Sequence, residues 1–357
     1  MQSKMNLWEE LSDAKLVVGK EPKIEPESAW YIKLILFISG WFGAIFITVA
    51  FALFIGLTFG LDIEKSPLVL TVMGGGILYL VYHLLQEKES EFLENFLLSL
   101  SMVGQVLIIA SVIMMLNYSM KSTVYLFVAL FQAFLMWFIP NYIHRMMSSF
   151  FMALAWSYLF YAMGLPSLYL AILTFIVAWL WINEFYFDEI KKIQAIAYGQ
   201  LIALVWLKAS SLYGYDILSF YASHHASSVQ LSPFFIVSIS TLTLAYVVWK
   251  ILEQHGKTED KKLLILSFVS VILLGLLSLK VSGLVTGIIL LLIGFFSSHR
   301  LLMGLGVVSS LFFISNYYYF MGESLLDKAT VLDMVGLLLL TVRWLVKKFI
   351  FKENENV

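Results

Sequence analysis

Long apolar runs separated by short polar segments make up almost the whole chain. Most runs are close to the ~20 residues that an α-helix needs to cross the ~30 Å hydrocarbon core of a bilayer. Backbone polar groups in lipid must pair within their own segment, so the runs predict helices. We predict twelve, at residues 31–59, 67–86, 95–116, 122–140, 146–164, 167–183, 194–212, 232–252, 262–280, 282–297, 301–321 and 330–350.

The pattern therefore predicts an all-α integral membrane protein with about twelve transmembrane helices. Residues 1–29 form an N-terminal segment, residues 30–351 the polytopic transmembrane domain, and residues 352–357 a tail. The number of crossings depends on the weakly marked runs 122–140 and 282–297. Lys280-Val281-Ser282-Gly283 predicts a tight hinge before 282–297, which is either a short spanning helix or a re-entrant one.

Lys and Arg residues divide unequally between the two sets of alternating loops. Eighteen of the 23 fall on one side, and the other side receives only Lys65, Lys121, Lys208, Lys280 and Lys328. Cytoplasmic loops are enriched in Lys and Arg, so the rich side is the cytoplasm. The even number of helices then predicts that the N-terminus and the C-terminus are both cytoplasmic.

The N-terminal segment has an apolar pattern of its own. Leu7, Trp8, Leu11 and Val18 lie near helical spacing, and the pattern ends at the glycine and prolines that follow. We interpret this segment as a short amphipathic helix on the inner membrane surface. The alternative is a docking helix for a partner protein.

Composition fits a membrane protein and disfavours several other functions. The chain is 61% hydrophobic and 13% charged, with a mean hydropathy of +0.88, whereas soluble domains carry about 25% charged residues. No basic stripe with interleaved aromatics indicates a nucleic-acid partner. No nucleotide-binding or catalytic motif indicates a cofactor. His224-His225 has no third ligand close in sequence, so no metal site is predicted.

Among the ionisable residues within predicted spans, three are the main candidates for function, because charges in lipid are costly. Asp333 and Arg343 are ten residues apart in the last span, about 15 Å along a helix, so they do not pair with each other. Lys208 lies at a depth similar to Asp333, and these two form a candidate intramembrane pair. In the alternative, Lys208 extends to the outer interface and Asp333 caps a helix that begins near Ala329.

Uncharged polar residues and glycines within spans have structural interpretations. Interhelical hydrogen bonds are the usual role of such amides, here Gln105, Gln132, Asn183 and Gln200. Close helix packing is the commoner use of the glycines Gly74-Gly75-Gly76, Gly304 and Gly306.

Two acidic residues after the sixth span are four positions apart. On a continuing helix, Glu184 and Asp188 would share one face. Lys191 and Lys192 follow at once, so we predict a solvated turn at the membrane interface rather than a cation or acid–base site.

A weak internal similarity relates two spans. His144-Arg145-Met146-Met147 precedes the fifth span, and His299-Arg300-Leu301-Leu302 precedes the eleventh. Because these spans lie six apart, the similarity predicts a parallel duplication of six helices.

The two ends of the chain have motif-like content. The first stretch contains Trp30-Tyr31-Ile32-Lys33 and Gly40-Trp41. The second contains His299-Arg300, Gly304, Gly306, Tyr317-Tyr318-Tyr319, Leu325-Leu326-Asp327-Lys328 and Arg343-Trp344. Together they resemble a bacterial family of polytopic inner-membrane proteins filed as a domain of unknown function. The resemblance marks Arg300, Tyr318 and Lys328 as candidate packing or family-motif residues, although Ala329 stands where a hydroxyl residue is expected.

The resemblance implies a multi-pass protein of the bacterial cytoplasmic (inner) membrane. Such proteins are often encoded near a smaller membrane-anchored protein with a Gly-Asp-Tyr signature, which is therefore the expected partner beside the lipid bilayer. The family has no established activity. The first functional hypothesis is thus an integral subunit of a bacterial envelope complex. The alternatives are a transporter or channel for a small or amphiphilic solute, and an intramembrane lipid-modifying enzyme.

Overall fold

The fold consists of helices joined by short connections. The computed structural model describes residues 30–59, 66–86, 91–117, 122–212, 233–281, 283–320 and 324–349. These residues contain no strand and form twelve α-helices: α1 Trp30–Phe59, α2 Pro67–Leu84, α3 Glu91–Met115, α4 Ser122–Phe138, α5 Tyr142–Ala162, α6 Pro166–Ile182, α7 Ile190–Leu212, α8 Pro233–Gln254, α9 Lys261–Ser278, α10 Leu284–Phe296, α11 Arg300–Phe320 and α12 Leu325–Phe349.

All twelve predicted helices are confirmed as helices. A short 3₁₀ helix, Glu184–Tyr186, follows α6. The predicted amphipathic helix in residues 1–29 and the outer loop 213–231 lie outside the described residues. The number of membrane crossings, the side of the termini and the parallel duplication stay predictions.

Six of the described helices, namely α2, α3, α7, α8, α9 and α11, are long and apolar enough to cross a membrane. Helices α4, α6 and α10 are apolar but shorter, with 17, 17 and 13 residues. Helix α5 has 21 residues and is not among the candidate spans. It is less apolar because it carries His144, Arg145, Ser148, Ser149 and Ser157.

Large apolar side chains cover the outside of the helices. Phe42, Phe46 and Leu57 of α1 are 73%, 74% and 86% exposed, and Leu242 of α8 is 69% exposed. Extended apolar surface of this kind is unfavourable in water. In lipid it is well solvated, because acyl chains are as apolar as leucine. The helices therefore have the surface of a membrane protein.

Two large hydrophobic clusters, and a small one around Val281, Leu284 and Tyr317, hold the described helices together. The smaller of the two large clusters joins α1, α2, α3 and α4 and contains Ala44, Val81 and Leu97. The larger cluster contains buried residues from each of the helices α5 to α11. Helix α5 packs against α4 on one side and against α6 and α7 on the other. This central position explains how its polar residues are buried among protein rather than exposed.

The predicted hinge before α10 is confirmed. Gly283 is the N-cap of α10 and has φ of 90°, a left-handed conformation that glycine adopts without a Cβ clash. Helix α10 is about 20 Å long from its residue count, and eight of its 13 residues are buried. Its neighbours α6, α8, α9 and α11 enclose it, so protein rather than lipid surrounds most of this short helix.

Glycines set the spacing of neighbouring helices, but not all of the predicted ones do so. Gly306 of α11 lies against the backbone of Leu290 and Leu291 in α10, and Gly74 of α2 lies against the Gly104 carbonyl in α3. Among the residues that the structure describes, a Cβ at Gly75, Gly76 or Gly304 would meet nothing within 4 Å. The packing prediction is therefore confirmed for Gly74 and Gly306, and wrong for the other three glycines.

Gly306→Val is expected to destabilise the protein, because the new side chain must push α11 away from the α10 backbone. Overpacking of this kind costs about 1–3 kcal/mol. Gly304→Val is the matched control on the same helix, since its side chain enters open space. Thermal unfolding of the purified variants should show a lowered midpoint for Gly306→Val alone. Equal midpoints would contradict the close approach of α10 and α11.

Candidate functional sites

The ionisable residues predicted as an intramembrane site lie on two helices. Lys208 is half-buried near the end of α7, whereas Asp333 and Arg343 are exposed on α12. No ion pair within the described part of the chain joins Lys208 to Asp333. Pairing of these two residues therefore stays a prediction.

The alternative interpretation of Asp333 as a helix cap is wrong. Helix α12 begins at Leu325 rather than near Ala329. Ser324 Oγ donates to Asp327 Oδ2 at 2.6 Å, and the Asp327 N–H donates to Ser324 Oγ at 3.2 Å. Ser324 thereby accepts from one of the free N–H groups of the first turn, as an N-cap serine does. Asp333 consequently lies in the third turn, where no free backbone N–H groups remain for it to cap.

Asp333 shares one face of α12 with two exposed leucines. Leu337 and Leu340 are 64% and 62% exposed, and positions 333, 337 and 340 follow the i, i+4, i+7 spacing of a helical stripe. The strongest described packing of α12 is against α9. We call Asp333, Leu337 and Leu340 the α12 stripe. It presents one carboxylate beside two exposed leucines.

A chain of buried polar side chains links three helices in the interior. Gln105 of α3, Gln132 of α4 and His144 of α5 are 2%, 1% and 0% exposed. Gln132 Nε2 donates to Gln105 Oε1 at 2.9 Å, and Gln105 Nε2 lies 2.8 Å from His144 Nε2. The predicted interhelical hydrogen bonding of Gln105 and Gln132 is confirmed.

The donors in this chain all point the same way. An amide nitrogen only donates, so His144 Nε2 accepts and the imidazole is the neutral tautomer with its proton on Nδ1. Nδ1 lies 3.4 Å from Ser148 Oγ, at the long end of hydrogen-bond distance. At the other end, Gln132 Oε1 is buried and accepts no hydrogen bond. A buried acceptor without a donor costs about 1–3 kcal/mol, so this end of the chain is the unsatisfied one.

An apolar crevice of about 340 Å³ lies between α3, α4 and α5. Tyr125 and Tyr158 stack in its wall with ring centroids 4.8 Å apart. Its lining contains no charged side chain and consists of Met102, Gln105, Val106, Ile109, Ile113, Val124, Tyr125, Val128, Gln132, Phe151, Leu154, Ala155 and Tyr158. The two glutamines of the buried chain therefore also form part of the crevice wall.

The polar chain continues from His144 to the exposed end of α5. The His144 N–H donates to Asn141 Oδ1 at 2.8 Å, which makes Asn141 the N-cap of α5. Asn141 Nδ2 donates to Glu94 Oε1 at 2.9 Å, and Glu94 is exposed. Polar contacts thus run from a surface carboxylate through the α5 cap to the crevice.

The opposite side of α5 is fixed to α7. Gln200 Nε2 donates to the Ser149 carbonyl at 3.0 Å and to Ser149 Oγ at 2.9 Å, and Ser149 Oγ donates to the Ile196 carbonyl at 2.9 Å. Gly199 lets α7 approach the Met146 carbonyl. The predicted interhelical role of Gln200 is confirmed. Asn183 donates to the Trp179 carbonyl of its own helix at 2.8 Å and also to the Tyr246 hydroxyl of α8 at 3.5 Å, which is a long interhelical contact.

Glu184 forms a second buried polar site, so the prediction of a solvated turn is wrong for Glu184, although it agrees with the exposure of Asp188. Glu184 is 0% exposed, whereas Asp188 is exposed. His299 Nε2 lies 3.1 Å from Glu184 Oε1, and Gln194 Nε2 donates to Glu184 Oε2 at 3.3 Å. The Trp181 ring packs edge-on against the His299 ring with centroids 5.0 Å apart. This pair joins the α6–α7 connection to the α10–α11 connection.

Residues 29–349 match the model of a family described as Domain of unknown function (DUF4401). The chain belongs to the DUF4401 family. No curated protein matches it, and no solved structure does.

The candidate family-motif residues of this DUF4401 chain lie at separate places. Arg300 is exposed at the first residue of α11, and Tyr318 is half-buried near its other end against the Tyr319 ring. Lys328 lies on α12, and its side chain is outside the described part. Tyr317 is 2% exposed, so it packs in the interior of the protein.

The sequence of the DUF4401 chain did not identify its two buried polar sites. His144 and His299 stood out only as parts of a repeated His-Arg pattern, and Glu184 as part of a turn. Among the described residues, no group of three or more His, Asp or Glu side chains forms a metal site. The His224-His225 pair lies outside those residues.

Proposed function

We propose that this DUF4401 protein is an integral subunit of a bacterial envelope complex, in which α12 docks against a smaller membrane-anchored protein. The observation that supports the proposal best is the exposed carboxylate of Asp333 within the α12 stripe. The resemblance to the family supports a smaller membrane-anchored protein as the partner.

An unpaired carboxylate at this depth is unfavourable in lipid. Asp333 is eight residues from the start of α12, about 12 Å along the helix axis. Its side chain is too short to reach the interface as lysine and arginine do. Asp at the centre of a spanning helix costs about 2.5–3.5 kcal/mol on insertion scales, and Asp333, three residues inside the predicted span 330–350, carries a smaller part of that cost. A partner helix with a Lys, Arg or amide donor at this level offsets that cost, and its apolar residues cover Leu337 and Leu340.

Asp333→Leu is expected to have opposite effects on the complex and on the isolated chain. The complex should dissociate, because the partner loses its charged contact. The isolated chain should keep or raise its unfolding midpoint, because the substitution removes a lipid-exposed charge. Native purification of the complex, followed by thermal unfolding of the separated chain, measures both effects.

Asp188→Leu is the matched control, since Asp188 is an exposed carboxylate away from α12. It should leave the complex intact. A complex that survives Asp333→Leu with its composition unchanged would remove the proposed docking role of α12.

A transporter for a small or amphiphilic solute is the second candidate function. The polar contacts from exposed Glu94 to Gln132 favour it, because they connect a water-accessible carboxylate to the crevice. An intramembrane lipid-modifying enzyme has weaker support. His144 already engages Gln105 and Ser148 through its two ring nitrogens, and the crevice lining offers no nucleophile with an adjacent base.

A further inference from the structure

We infer that the crevice between α3, α4 and α5 binds an uncharged amphiphile whose head group donates a hydrogen bond to Gln132. This ligand site is separate from the α12 stripe, so it does not depend on the proposed partner protein. The inference rests on the size of the crevice, the chemistry of its wall and the unpartnered acceptor.

The size of the crevice limits the ligand to a small molecule or part of a lipid chain. Its volume is about 340 Å³, roughly twice the ~150 Å³ of an engineered apolar cavity that holds benzene. A body of about a dozen non-hydrogen atoms fills that volume by the same measure. A ten-carbon alcohol is of this size, whereas an intact phospholipid is not.

The wall of the crevice selects against charge. Val106, Ile109, Val128 and Leu154 supply aliphatic surface, and Phe151 supplies an aromatic ring. A carboxylate, phosphate or ammonium group here would lose its hydration without meeting an opposite charge. Fatty acids and anionic head groups are therefore excluded from the crevice itself, and neutral head groups are favoured.

The buried chain selects a donor rather than an acceptor. Gln132 Oε1 is the one end of the chain that accepts no hydrogen bond, while Gln132 Nε2 is already engaged by Gln105. The terminal amide of glutamine turns about a soft torsion, so Oε1 meets a donor in the crevice after a small turn that lengthens the hydrogen bond from Gln132 Nε2 to Gln105. A ligand O–H or N–H then joins a chain whose donors all point toward His144, and each bond polarises the next.

Two probes that differ only in the head group test the inference. One is decan-1-ol with a diazirine in its chain, and the other is the methyl ether of the same molecule, which accepts but does not donate. Both are photolysed with the purified full-length protein in nanodiscs, and labelled peptides are quantified by mass spectrometry. The alcohol should label the crevice residues Val106 and Phe151 about tenfold more than the ether does. Both probes should label lipid-facing Leu242 equally.

Different variants test the hydrogen-bond acceptor of Gln132 and the space of the crevice. Gln132→Met should abolish the preference for the alcohol at the crevice. Gln200→Met is the matched control, because Gln200 is a buried amide between α5 and α7. Val106→Trp should reduce the labelling of Phe151 by both probes. Val106 is 63% exposed at the rim, so its replacement fills the crevice without disturbing the core.

Equal labelling of Val106 and Phe151 by the two probes in the wild-type protein would overturn the inference. So would an unchanged alcohol preference in folded Gln132→Met protein. If Gln132→Met does not fold, the wild-type probe comparison together with Val106→Trp still decides the question.

Discussion

Replacing His299 with alanine is expected to lower the free energy of unfolding by about 3–5 kcal/mol, because it leaves a buried carboxylate without its main partner. Glu184 has 1% of its side chain exposed and His299 has 27%. Among the described residues, Gln194 would then be the remaining hydrogen-bond partner of the carboxylate, at 3.3 Å. Denaturant or thermal unfolding of the purified protein in detergent measures the loss.

The double variant isolates the cause of this loss. Glu184→Gln with His299→Ala removes the uncompensated charge and keeps the size of the residue at 184, so it should recover most of the lost stability. The single and double variants would be equally unstable if packing of the His299 ring on Trp181 were the main contribution. That result would contradict the electrostatic explanation.

Gln105→Leu is the substitution with the second largest expected effect. It removes the acceptor of Gln132 Nε2 and the donor to His144 Nε2 at once. Each buried polar group left unpaired costs about 1–3 kcal/mol, so the total is about 2–5 kcal/mol. Unfolding measurements in detergent check the size of the effect.

Gln200→Leu is the comparison for Gln105→Leu. Ser149 keeps its hydrogen bond to the Ile196 carbonyl when Gln200 is lost, so fewer polar groups are left without a partner. The expected loss is therefore smaller than that of Gln105→Leu. A larger loss for Gln200→Leu would show that contacts between α5 and α7, and not the α3–α4–α5 chain, dominate the stability of the interior.

Helix positions followed from the sequence because local signals set them. Pro67, Pro166 and Pro233 each occupy the first turn of a helix, where proline is favoured, and the predicted starts lie within one residue of these. The predicted starts of α3, α5 and α7 are late by four residues, and that of α12 is late by five. The first turns of these helices carry charged residues, so each helix extends beyond the apolar run.

The buried sites were harder to predict because their partners are distant in sequence. Glu184 and His299 are 115 positions apart, and the lysines that follow Glu184 suggested a solvated turn. His144 lies just before the apolar run of α5, where a loop position was expected. The packing of α5 between α4 and α7 buries it. Hydropathy along the chain reports lipid-facing length and does not report which polar groups meet in the interior.

Site-specific crosslinking in native membranes tests the proposed subunit role most directly. A photoreactive amino acid at Leu337 of the α12 stripe is compared with one at Val72 of α2, which is similarly exposed at 66%. The proposal predicts that Leu337 crosslinks to one smaller membrane-anchored protein, that Val72 does not, and that Asp333→Leu abolishes the crosslink. Lipid adducts alone at both positions, or a crosslink that is indifferent to Asp333, would contradict it.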